Sequence, residues 1–355
     1  MIPLVGQLLA SIEQQWHACH YDERRFTDIA TAALEGARLC EHLNSSDLVR
    51  WFNHEPGAAP QVSLASSFGE PALTLASTSR FYIEALFWLD GTTSIHQHRF
   101  SGAFMVLEGS SIHSRYKFER SQRVNATTEI GALALERVEC LRPGQVRPIR
   151  SGSGTIHSLF HLERPTLSIV ARTTMDQESG PQLDYWPPCV ARDPAAIDSR
   201  LTRQLQLIRT LSRVAAPDRF QHANELLQRS DFGSSLMILD TVVASNADAW
   251  PAVLELIAVV HARHPEVTCD LVPVFAERRR INLVVSRRQQ VHDPELRLFL
   301  AMLLNLPTQT ACLEFLRTYA PNRDPEALIS EWIDRLGLIE STAETLSLLF
   351  RPLGA

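Results

Sequence analysis

Lysine is nearly absent. Of the 34 basic residues in this 355-residue chain, Lys117 alone is lysine and the other 33 are arginine. Schiff-base enzymes and P-loop nucleotidases each need a lysine at one defined place. Lys117 sits in Arg115-Tyr116-Lys117-Phe118 with no glycine-rich loop ahead of it, so neither class gains support. The six cysteines, Cys19, Cys40, Cys140, Cys189, Cys269 and Cys312, are scattered without a Cys-x-x-Cys pair. Neither a disulfide framework nor a cysteine-rich zinc site is expected from that spacing. No apolar run reaches the roughly 20 residues of a membrane span, and even the stretch 298–306 falls short. Excess positive charge is missing too. The formal charge is −6, which argues against nucleic acid or an anionic membrane as the main partner. The N-terminal residues have no basic leader and read as the start of a helix rather than a signal peptide. The expected location is the cytoplasm.

What is present is a chain of ordinary globular make-up, 45% hydrophobic and 21% charged, long enough for two or three domains with real cores. Its texture changes twice. Residues 2 to about 55 carry apolar side chains at helical spacing, among them Leu8, Ile12, Trp16, Ile29, Ala33 and Ala37, and a Pro/Gly break follows at 56–60. From about 62 to 176, short apolar or alternating runs (81–89, 103–107, 112–118, 133–140, 155–161 and 167–171) alternate with turn residues. That texture points to a β-sandwich or barrel. Tyr185-Trp186-Pro187-Pro188 and Arg192-Asp193-Pro194 mark a Pro-rich exit, read as a packed linker, and after Asp198 the pattern is helical. Asp293-Pro294 and Asp324-Pro325 each place an N-cap before a first-turn proline. Arg278-Arg279-Arg280 with Arg287-Arg288 reads as a solvated helix face, because Glu277 and the apolar run 281–285 are interleaved with it.

The chemistry concentrates in Gly91-Thr-Thr-Ser-Ile-His96-Gln-His98 and in Gly152-Ser-Gly154-Thr-Ile-His157-Ser-Leu-Phe-His161. Residues two apart on a strand face the same side, so His96 and His98 present two imidazoles together. Neutral nitrogens on a rigid strand lose little entropy when they bind a divalent ion. His161, four residues beyond His157, faces the same side as His157 and is placed to contact substrate or to donate a hydrogen bond behind the ion. His113, in the next strand, reads as packing. Arg80, Tyr82, Glu84, Trp88, Arg99, Tyr116 and Arg172 are candidates to line the cavity, with packing as the alternative for each.

The first run, closed by Leu107-Glu108-Gly109, resembles the first motif of the cupin family, and the run ending in His157 resembles the second. Together they cover about a quarter of the chain. The resemblance implies an α+β protein: a cupin double-stranded β-helix, or jelly-roll barrel, with N-terminal helices and an all-α C-terminal domain. The corresponding division is 1–60 helical segment, 61–190 barrel with the metal site, and 191–355 all-α domain. One departure is informative. The carboxylate of the first motif should fall near Gly102 or Ala103, and neither can bind a metal. The remaining ligands are His96, His98 and His157, a pattern similar to the thiol dioxygenases, the cysteine dioxygenase group.

That resemblance implies Fe(II), with Zn, Mn and Ni as alternatives, and an oxygenase that uses O2 on a small polar substrate, a thiol among the candidates. Three neutral imidazoles leave the ion its full charge and open positions. The residues expected to act on substrate are His161, Tyr82 and Arg99. Two further departures bear on the substrate: the cysteine that cross-links to a tyrosine in some members would fall near Ala103, and residues 65–70 hold no arginine to clamp a carboxylate. The alternatives are a non-oxygenase metal cupin, an isomerase or lyase, and a non-catalytic cupin sensor. Expected partners are a small-molecule substrate and O2, with a protein partner or a second copy as candidates for the helical domain. Nucleic acid and membrane are not expected.

Overall fold

A computed structural model describes residues 3–54, 59–62, 64, 68–90, 93–176, 179–246, 249–306 and 308–339. Gly91 of the first motif, residues 56–58 of the expected break and residues 65–67 lie outside the described residues. The chain forms two compact units. One comprises residues 1–116, 135–182 and 293–301, the other residues 117–134, 183–292 and 302–355.

The first unit opens with three helices, α1 (Pro3–Ala18), α2 (Glu23–Ala37) and α3 (Ser45–His54). The strands follow as β1 (Ala72–Ser77), β2 (Phe81–Trp88), β3 (Ile95–His98), β4 (Gly102–Glu108), β5 (Ser111–Arg123), β6 (Thr128–Leu141), β7 (Val146–Ile149), β8 (Gly152–His161) and β9 (Thr166–Thr173). Every expected strand run falls within one of them, except that 81–89 extends one residue past β2. One antiparallel sheet has the order β1-β2-β9-β4-β7. In the other, β8 lies between β5 and β3.

The first sheet is buried on both faces, and residue parity decides which face each side chain serves. In β2, Phe81, Ile83, Ala85 and Phe87 pack with Ile12, Trp16, Phe26 and Leu34 of the helices. Leu86 and Trp88 turn the other way, into a barrel core shared with Phe104, Leu159 and Val170. This two-sided burial explains why β2 reads as a continuous apolar run. The result is an α+β fold with a double-stranded antiparallel barrel at its centre, as the two motifs imply.

The barrel also explains the missing carboxylate. Gly102 pairs with Arg172 of β9. A Cβ at Gly102 would collide with the Ala171 carbonyl and lie 2.9 Å from Arg172 Cα. Ala103 is fully buried on the opposite, helix-facing side. Neither position can send a carboxylate to the histidines. Gly102→Ala is expected to cost about 1–3 kcal/mol, the usual penalty of an overpacked core, read as a lowered urea midpoint.

Residues 293–301, the start of α9 (Pro294–Asn305), belong to this first unit although they lie in the segment expected to form the all-α domain. Asp293 caps the helix as its sequence implies, accepting from the backbone N–H groups of Glu295 and Leu296. Arg297 on its first turn is 1% exposed and donates to the carbonyls of His161 (3.1 Å) and Leu162 (2.6 Å) at the end of β8.

The second unit joins the tip of the β5–β6 hairpin to β10 (Asp184–Trp186) and β11 (Val190–Arg192), with Val190 opposite Ile130. Its helices include α4 (Ser199–Arg213), α5 (Arg219–Leu227), α6 (Phe232–Ser245), α7 (Trp250–Arg263) and α8 (Leu271–Gln290). Ile130, Trp186 and Val190 pack with Leu236, Leu239 and Phe275 in one core, and Tyr185 is buried against Phe118, so the aromatic pair before the prolines is packed. Two expectations are corrected here. Arg280 and Arg288 are buried, not solvated. The spacing 277, 280, 284, 288 puts them on one inward face of α8, where Arg280 forks onto the Glu277 carboxylate at 2.6 and 2.7 Å. Cys189 and Cys269 form a disulfide across a separation of 80 residues, which their scattered spacing conceals. Among the described residues, no helix is long and apolar enough to cross a membrane.

Candidate metal centre and its surroundings

His96 and His98 lie on β3, and His157 lies opposite His96 on β8. The β3–β8 register shifts between His96 and His98, and all three rings converge. Their ligand atoms lie within 4.8 Å of one another, and all three residues are buried. An ion about 2.1 Å from each nitrogen would hold pairs up to about 4.2 Å apart, so small ring rotations complete the set. His98 Nε2 and His157 Nε2 are already 2.8 Å apart.

The nitrogens turned away from this point are anchored. His96 Nδ1 donates to the Ser94 carbonyl at 2.7 Å, which leaves Nε2 as its ligand atom. His157 Nδ1 lies 3.0 Å from His113 Nε2, and His113 Nδ1 lies 3.1 Å from Glu139 Oε1. Arg147 forks onto the same carboxylate at 2.8 and 2.7 Å, and Arg137 approaches it at 3.1 Å. Burial alone would push the Glu139 carboxyl up, but the hydrogen bonds from Arg147 and His113 outweigh it and hold the group well below the usual carboxylate range. Burial, then the charge of the neighbouring histidines, keeps His98 and His157 far below the ordinary imidazole value. Neutral imidazoles are what a divalent ion requires. The donor set fits a divalent metal.

A polar cluster adjoins the histidines inside the barrel. The Phe100 ring packs 4.5 Å from His98, and the Arg172 guanidinium lies 3.4 Å from the centroid of the same ring. Arg172 also lies 5.1 Å from the Tyr82 ring and 3.6 Å from Glu84. Its Nε is buried with no hydrogen-bond partner among the described residues. Burial pulls the Arg172 pKa down and pushes Glu84 and Tyr82 up; the Arg172 charge opposes the two upward shifts, while the Glu84 charge adds to that of Tyr82. Arginine stays charged at neutral pH, so this part of the barrel carries a positive group beside the histidine site.

No family model matches this chain, and no curated protein matches it. Among solved structures, it is similar to a cupin superfamily protein from Desulfitobacterium hafniense DCB-2: 17% identical, covering 33% of this chain and 94% of that one, at a TM-score of 0.21. The DMSP lyase DddQ from Ruegeria pomeroyi DSS-3 is 14% identical over 51% of this chain and 95% of its own, at 0.26. The capsular polysaccharide assembling protein CapF from Staphylococcus aureus is 14% identical over 50% and 45%, at 0.24. Likenesses this distant carry no argument about activity. The fold rests on the strand pairing and the site on its own geometry.

The other expected residues fall in different places. Tyr82 is on β2 with its ring turned inward, beside Arg172. Arg99 is exposed in the turn after β3. His161 lies outside the converging set: its ring stacks on Trp88 at 4.5 Å and its Nδ1 is 2.8 Å from Ser111 Oγ. His113 is a correction, since it is 2% exposed and joined to His157 rather than merely packed. Glu139 did not stand out in the sequence at all. The available signal is pairing: His113 lies opposite Leu159 and Arg115 opposite His157, so His113 shares the inward face of β8.

Proposed function

We propose that this protein is a divalent-metal enzyme acting on a small molecule with an anionic group, and that with Fe(II) it is an O2-using oxygenase. The observation that carries this reading is the convergence of three buried imidazoles beside a buried guanidinium that has an unused N–H. An Fe(II) ion held by three neutral ligands retains its full charge and open positions for substrate and O2. The chain's own residues do the rest. Arg172 holds the anionic group, Tyr82 flanks that group, and the apolar wall of Trp88, Phe100 and Phe104 excludes water. A thiol carboxylate is the substrate class that combines this charge with the thiol-dioxygenase resemblance, and Arg172 supplies the cation missing from residues 65–70. His161, held by Ser111 and Trp88, is assigned to tuning of the site rather than to holding the ion.

Tyr82 favours a second reading, a non-redox lyase or isomerase with Zn, Mn or Ni. Burial raises the Tyr82 pKa, so its phenol stays protonated and can donate a hydrogen bond to a substrate oxygen. Reconstitution with each metal, followed by assay of a thiol-carboxylate panel with and without O2, separates the two. The oxygenase reading predicts substrate-coupled O2 consumption with Fe(II) alone. Product formed anaerobically with Zn(II) would overturn it in favour of the second reading.

Arg172→Met is expected to leave metal content unchanged while raising KM for an anionic substrate about 10- to 100-fold, the worth of a charge-assisted hydrogen bond. Steady-state kinetics beside metal analysis checks this. An unchanged KM would place the anion elsewhere.

A further inference from the structure

We propose that Glu139, acting through His113, fixes which nitrogen of His157 carries the proton, and so turns a bare Nε2 toward the metal. Both are positioning residues, and the inference rests on the metal-enzyme reading above.

Hydrogen bonds link Arg147 to Glu139, Glu139 to His113 and His113 to His157. An ionised carboxylate only accepts, and Glu139 is held ionised by the fork from Arg147 and the contact from Arg137. His113 Nδ1, at 3.1 Å from Glu139 Oε1, therefore carries its ring's hydrogen. Arg147 and Arg137 already balance the Glu139 charge, so the buried His113 is neutral. A neutral imidazole has one N–H, and His113 Nε2 is therefore an acceptor. His157 Nδ1 faces that acceptor at 3.0 Å. Two bare lone pairs at that distance would repel, so Nδ1 carries the hydrogen of His157. Its Nε2 is left bare at the point where His96 and His98 converge. A carboxylate two rings away thus sets the donor state of a metal ligand, by the logic with which carboxylates orient ligating histidines directly.

Glu139→Gln nearly preserves shape but breaks the logic. Arg147 then claims the amide oxygen, and the amide N–H faces His113 Nδ1. Every donor in the chain reverses, and His157 Nε2–H points at the metal position. His113→Phe removes the link while keeping an aromatic ring against Phe104, whose centroid lies 5.6 Å from that of His113.

The test uses the full-length protein and has two readouts. Nitrogen-15 NMR of the metal-free protein should show His157 as the Nδ1–H tautomer in wild type and its reversal or mixing in Glu139→Gln and His113→Phe. Competition with a chelator for Fe(II) or Zn(II) should show both variants binding about 10- to 100-fold more weakly, the range for partners that support metal ligands. Circular dichroism of the metal-free variants should be unchanged. A His157 tautomer that is Nε2–H in wild type, or that is the same in all three proteins, would overturn the inference. So would wild-type metal affinity in both variants. If wild type shows the Nδ1–H tautomer and the variants lose it, yet no protein binds metal, the metal reading fails and the relay stands.

Discussion

His157→Ala is expected to lose its metal and, with it, all metal-dependent turnover. Structural zinc sites bind with about 10–16 kcal/mol shared among four ligands, so one ligand is worth about 3 kcal/mol, or roughly 100-fold or more in affinity. With only three protein ligands among the described residues, removing one leaves a pair that cannot compete with a chelator. The same result is expected for His96→Ala and His98→Ala. Two of the deletions also remove the 2.8 Å contact between His98 and His157, so the remaining rings lose their preset approach. His161→Ala is the control: it should keep its metal, because its ring is committed to Trp88 and Ser111. Metal analysis after gel filtration reads all four. Full occupancy in His96→Ala and His157→Ala would show that the ion sits elsewhere.

Arg297→Met should produce the largest loss of stability. The guanidinium is 1% exposed and serves the carbonyls of His161 and Leu162, with the Asp90 carboxylate 3.5 Å away. Methionine fills similar volume but donates nothing. Each buried carbonyl deprived of its donor costs about 1–3 kcal/mol, so the variant should lose about 2–5 kcal/mol. Hydrogen exchange at the amides of β8 in mild urea reads the loss where it arises, without assuming that both units unfold together. Arg297→Lys should recover part of it, because one ammonium can reach one carbonyl. Unchanged protection in β8 for Arg297→Met would mean that these hydrogen bonds contribute nothing net.

The parts of this fold that a single strand or helix can encode are legible in its sequence. Short apolar runs bounded by turn residues mark β2, β4, β8 and β9, and His96, His98 and His157 stand in motifs that announce a metal. Contacts between elements distant in sequence are not legible in this way. His113 acquires its role only when the β5–β8 register is known, Glu139 reaches it from β6, and Arg297 reaches Leu162 across 135 residues. Arg280 looks solvated in a run of three arginines, yet the helical period carries it inward to Glu277. Gly102 shows the converse. The sequence records an absent carboxylate, and the backbone of β9 supplies the steric reason.

X-ray absorption at the iron edge of the Fe(II)-reconstituted full-length protein tests the central claim most directly. One iron per chain, with three imidazole nitrogens at about 2.1 Å and the remaining positions filled by light atoms, is the predicted result. Iron bound substoichiometrically, or with fewer than three histidine ligands in its scattering pattern, would contradict it.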